Sequence, residues 1–128
     1  MALANITIAQ SDIEKFQPDI AEFLFSGQSI TDVIAIVKRN LERDIAIKAD
    51  IDDADLSKIK DSGQKYLYDR IIHETISHIY LQNNQLDKAE VHSKIAQSIP
   101  LRYYLDEDGD GVQDEGEKEN LRHAFFGR

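Results

Sequence analysis

Apolar residues recur at helical spacing through most of this chain. Ile30, Val33, Ile34, Val37, Leu41 and Ile45 step by three and four, which puts them on one face of a helix expected over residues 30–47. Lys38, Arg39, Glu42 and Arg43 fall largely off that stripe and read as a solvated face. Ile36 and Ile47 also lie outside it and widen the apolar surface, as a buried helix or a subunit contact requires. A second, broader stripe, Leu67, Ile71, Thr75 and Ile79 beside Tyr68, Ile72, Ile76 and Tyr80, predicts a long helix over 61–83. A third helix is expected over 86–98, carrying Leu86, Ala89, Ile95 and Ile99 with Val91 to one side. The short connection Asn83-Asn84-Gln85 makes the last two helices an antiparallel hairpin.

The flanking segments break this rhythm. Ile6 and Ile8 alternate with Thr7, as a short extended arm does. Ser11 followed three residues later by Glu14 has the spacing of a capping box, so a short helix is expected from Ser11. Pro18 cannot sit inside a helix, which places a break near Gln17 and a second helical piece over 19–25. Phe16, Ile20, Phe23 and Leu24 then share one core-facing side. Residues 26–29 read as a turn. Residues 50–55 are acidic but lack the glycine and the twelfth-position acid of a calcium loop, so they read as a loop with helix-capping aspartates. Leu56 and Ile59 are expected to anchor a short turn. Pro100 ends the third helix, and Leu101, Tyr103 and Leu105 alternate with Arg102 and Tyr104 as an extended segment. In the tail, Leu121, Ala124, Phe125 and Phe126 return to helical spacing; packing on the same domain and docking on a partner are equal readings of this apolar end. The expected fold is mainly α: a small bundle of three to four main helices over 1–99, with an extended C-terminal arm, 100–128, that carries an acidic loop and the aromatic tail. The hairpin resembles a tetratricopeptide unit, but there is no second copy, and such arrays need about three.

Composition narrows the function classes. A chain of 128 residues fits one domain. It has no cysteine, hence no disulfide framework, thiolate metal site or cysteine nucleophile. Residues 1–10 lack the basic start and length of a signal peptide, and no apolar run approaches a membrane span. Of the formal charge of −9, residues 106–119 carry −7, which leaves −2 for all the rest. The acidity is local. It disfavours tight binding to nucleic-acid phosphates, which needs a basic face, and suits a surface past which DNA slides without sticking.

The acidic run itself has specific spacing. With Asp106 at position 1, Asp106, Asp108, Asp110, the Val112 carbonyl, Asp114 and Glu117 fill every ligand position of a twelve-residue calcium loop, and Gly111 takes the sharp turn at position 6. Glu117 can give two oxygens. Two features depart from an EF-hand. The aliphatic residue Val112 stands one position early, where Gln113 should be the aliphatic one, and Pro100 with the alternating aromatics leaves no entering helix. The loop resembles the isolated Asp-x-Asp-x-Asp-Gly repeats of bacterial and extracellular proteins. Calcium is therefore expected as a structural ion that orders the segment between Leu105 and the tail, because so many carboxylates in so short a stretch repel one another without one.

Catalysis has no such support. There is no Gly-rich phosphate loop, nucleophile elbow or His-Glu-x-x-His pattern. His73 and His78 are five apart, so they read as structural or surface histidines. The chain is not expected to be an enzyme.

The whole layout resembles the head-to-tail connector (adaptor) proteins of tailed bacteriophages. The resemblance rests on the capped N-terminal helix with Phe16, helix 30–47, the hairpin from Tyr66-Leu67-Tyr68 to Ile99 with its Ile79-Tyr80-Leu81 and Lys88-Ala89-Glu90 neighbourhoods, and the arm with its Asp-x-Asp-Gly-Asp-Gly turn. It implies a structural virion protein of the neck, assembled in the host cytoplasm. Such a protein forms a homo-oligomeric ring, commonly dodecameric, around the DNA channel. It contacts the portal protein on one side and the tail or a stopper protein on the other, and it binds no specific DNA sequence. The arm, through Leu121, Phe125 and Phe126, would dock on a partner. The alternative is a monomeric calcium-binding helical interaction module.

Overall fold

The computed structural model describes residues 3, 6–49, 58–61 and 65–105. The fold is mainly helical. Helix α1 spans Gln10–Glu14 and a 3-10 turn spans Ile20–Phe23. The long helices are α2 (Ile30–Ala49), α3 (Tyr66–Gln82) and α4 (Leu86–Ser98). Strands β1 (Ile59–Asp61) and β2 (Tyr103–Leu105) pair antiparallel, with Ile59 opposite Leu105 and Asp61 opposite Tyr103. Helix α3 is the hub: α2, α4, α1, the 3-10 turn and β1 all pack against it.

The α2 stripe is buried at every position, Ile30, Val33, Ile34, Val37, Leu41 and Ile45. Ile and Val are indifferent helix formers, so burial, at roughly 1.5–3 kcal/mol per side chain, is what holds α2 in place. Its start is fixed by a reciprocal cap. The Asp32 N–H donates to Ser29 Oγ and the Ser29 N–H to the Asp32 carboxylate, both at 3.2 Å. Just before it, Gly27 turns the chain at φ +81°, a left-handed conformation that costs glycine little. Gln28 from this turn is tied by its amide to Gln82 at the end of α3, at 3.2 Å.

Helix α3 buries Leu67, Ile71, Ile72, Thr75, Ile76, Ile79 and Tyr80. It begins five residues later than the sequence pattern indicates, at Tyr66. Asp61 belongs to β1, and its carboxylate accepts the Leu67 and Tyr68 N–H groups, each at 2.9 Å. Two of the four orphan donors at the helix start are thus satisfied from a neighbouring strand rather than from an adjacent cap. At the other end Asn84 adopts φ 60°, and the Gln85 and Asn84 N–H groups bond back to the Tyr80 and Leu81 carbonyls at 2.9 and 3.1 Å. This is a Schellman closure, and it reverses the chain into α4.

Three further expectations need correction. Helix α1 starts at Gln10 rather than after a Ser11 cap: Asp12 accepts the Ala9 N–H at 2.9 Å, and Ala9 offers only its carbonyl in return. In the N-terminal segment the alternation holds, with Ile6 buried, Thr7 exposed and Ile8 packed on the core; Leu3 is buried too, and Lys38 donates to the Ile6 carbonyl. On α4 the buried positions are Ala89 and Ala96, two turns apart, while Leu86 and Ile95 are exposed. Small residues let α4 lie close against α3, and the larger ones are rotated outward. In β2, Tyr103 and Tyr104 are both buried, so the alternation expected from the sequence does not hold; Tyr103 joins the main core and Tyr104 lies outside it.

Candidate functional site

The expected metal ligands Asp106, Asp108, Asp110, Val112, Asp114 and Glu117 lie outside the described residues, as do the tail residues Leu121, Phe125 and Phe126 and the acidic segment 50–55. Among the described residues, no three His, Asp or Glu side chains come together as a metal site. No described helix is long and apolar enough to cross a membrane.

What the described residues do present is apolar surface outside the buried core cluster. Ile36 and Ile47 are exposed on α2, Ile47 at 72%. They are eleven residues apart, close to three full turns, and so lie on one line along the helix. Arg39, Asn40 and Arg43 border that line, all exposed. On α4, Val91 and Ile95 are exposed one turn apart, Val91 at 56%. Because α2 and α4 each pack against α3, these two apolar lines sit on different helices flanking the hub. Leu81 and Leu86 are exposed at the hairpin tip. Phe16, expected in the core, is half exposed and sets its ring at 68° to His73, with centroids 5.1 Å apart.

The α3–α4 seam carries a ladder of polar ties. The Ser77 hydroxyl donates to the Ala89 carbonyl at 2.8 Å. Next along the seam, His73 and His92 approach through their Nδ1 atoms at 3.2 Å. At the open end, Arg70 donates to the Ile99 carbonyl at 3.1 Å and to the Glu74 carboxylate at the same distance. Burial pushes the Glu74 carboxyl up, against the pull of Arg70. Along the sequence His73 stands nearest His78, five residues on, and nothing local links it to His92. The signal lay in hairpin register: counting outward from the Asn83–Asn84 turn, positions 73 and 92 fall almost opposite one another.

No protein-family model matches this chain, and no curated protein or solved structure does. The described fold defines a small, mainly helical bundle, and its outward apolar faces define the candidate site.

Proposed function

We propose that this chain is a structural assembly subunit, an adaptor that forms a homo-oligomeric ring in the neck of a tailed phage, between the portal protein and the tail or stopper. The layout that resembles the phage connectors supplies the identity of the assembly. The observation that carries the geometry is the pair of apolar lines on α2 and α4, outside the buried core cluster. A ring is built head to tail, so each subunit needs two different complementary patches, and these are two such patches. The near-neutral body suits lateral packing, and the local acidity suits the passage of DNA.

In this reading calcium is a structural ion at Asp106, Asp108, Asp110, Val112, Asp114 and Glu117, and it directs Leu121, Phe125 and Phe126 toward a partner. Titration calorimetry is expected to show calcium binding that Asp110→Ala abolishes, while the helical circular dichroism stays unchanged. An absence of binding at millimolar calcium removes the ion from the reading.

The ring is tested by negative-stain microscopy and light scattering of the chain alone and mixed with a phage portal protein, and by whether the chain's gene lies among capsid and tail genes. Rings, or a portal-bound collar, are expected. A chain that stays monomeric and ignores the portal protein, yet binds calcium, is instead a monomeric calcium-binding interaction module, the reading that the loop spacing favours on its own.

A further inference from the structure

The His73 and His92 ring centres are 5.4 Å apart and their planes are inclined by only 19°, while the two Nδ1 atoms are 3.2 Å apart. The difference between these separations is close to one ring diameter. Both nitrogens therefore lie near the line joining the ring centres, and the rings meet edge to edge rather than face to face. Their in-plane lone pairs point at each other. Lone pairs so aligned do not converge on one metal ion, which would sit about 2.0–2.1 Å from each nitrogen at an angle between them. They suit a shared proton, with one ring donating its Nδ1–H and the other accepting.

We propose that this pair is an acid-sensitive latch that ties α4 to α3 while one proton lies between the two Nδ1 atoms and frees α4 when both carry one. The first added proton is tolerated. It goes to the far nitrogen of the donor ring and makes the tie charge-assisted. The second must go to the acceptor nitrogen, and two N–H groups then point at each other.

The surroundings set the direction. Both rings are half-buried. Burial pushes His73 below its ordinary value of 6.5, although Asp69 on α3 pulls the other way. Burial also pushes His92 down, and the charge of His73 adds to it. From the N-terminal segment Phe16 presents no charge to the pair. Lys88 on α4 holds its ammonium over Phe23 and Tyr80, 5.2 and 5.6 Å from the ring centres. Asp19, before the 3-10 turn, acts on Tyr80, whose ring is 6.1 Å from His92. Glu74 is held by Arg70. Because both folded-state values lie below 6.5, the unfolded chain binds more protons there. The latch contributes fully above pH 6.5 and is lost as the pH falls below it, through the folded values. Glu74, pushed up by burial, has the opposite sign, so the test compares variants.

The experiment is nitrogen-15 NMR of the imidazoles with amide-exchange protection of α4, between about pH 8 and pH 5, on the intact chain and on His92→Asn. Asn keeps a polar group near the Nδ1 position and takes no proton. In the unaltered chain one Nδ1 should be protonated and the other not at the upper pH, with two coupled titration steps below 6.5. Protection of α4 should fall roughly fivefold further than in His92→Asn, the effect of losing about one hydrogen bond. Equal loss in the two proteins overturns the proposal. So do two independent titrations near 6.5 in the unaltered chain, a result that stands whether or not the variant folds.

Discussion

Thr75 sits at the centre of the α3 stripe, completely enclosed, and its Oγ1 finds no hydrogen-bond partner among the described residues. A buried hydroxyl without a partner costs about 1–3 kcal/mol. Thr75→Val keeps the branched shape and replaces the hydroxyl by a methyl. It should therefore stabilise the fold by about 1 kcal/mol, read as a higher urea midpoint at an unchanged slope. A lower midpoint would mean that the hydroxyl has a buried water as its partner. Asp61 is the opposite case, a carboxylate whose two oxygens are both used. Asp61→Ala orphans two N–H groups at the start of α3 and should cost about 1–2 kcal/mol. Asp61→Asn, which retains one acceptor, should fall between the two in the same denaturation series.

At the scale of the element, the α3–α4 seam depends on small residues. Ala89 and Ala96 are buried on α4, which packs against α3, whereas Leu86 is 60% exposed. Ala96→Leu should wedge the helices apart and cost about 1–3 kcal/mol. Leu86→Ala should change stability by less than about 0.5 kcal/mol. Thermal melts of the two variants check the contrast, and the periodicity of the sequence points the other way. That misreading has a physical origin. Helices α2 and α3 bury broad stripes of Ile, Leu and Val, so their periodicity is strong and the core positions of both were legible. Helix α4 covers one side of α3, and close approach selects alanine, whose apolar signal is weak. Strand β1 was illegible for another reason: it is three residues long and pairs with a strand more than forty positions later, so no local pattern announces it. Asp61 was placed inside the helix because a cap supplied from a strand leaves no adjacent signature. Of the candidate site, the outward positions of Ile36 and Ile47 were legible from the stripe they miss. The His73–His92 pair was not, since it exists only once the hairpin register is fixed.

At the scale of the whole molecule, the two apolar lines make the proposed assembly testable. A patch that meets its own copy gives a closed dimer, whereas two different patches that meet each other give a ring or a filament. Ile47 on α2 and Val91 on α4 are exposed enough, at 72% and 56%, for a charge at either to leave the core undisturbed. In the proposed ring, Ile47→Glu alone should stop growth, because every junction would bury an unpaired carboxylate; Val91→Glu alone should do the same from the other side. Mixing the two variants is the decisive case. The intact α2 face of the Val91→Glu chain can still meet the intact α4 face of the Ile47→Glu chain, once. Light scattering of the mixture should show dimers holding one copy of each variant and nothing larger, while each variant by itself stays monomeric. If either variant alone forms dimers, its remaining face pairs with itself, and the head-to-tail ring is excluded. If both assemble as the parent chain does, neither face is an interface, and the ring reading loses the observation on which its geometry rests.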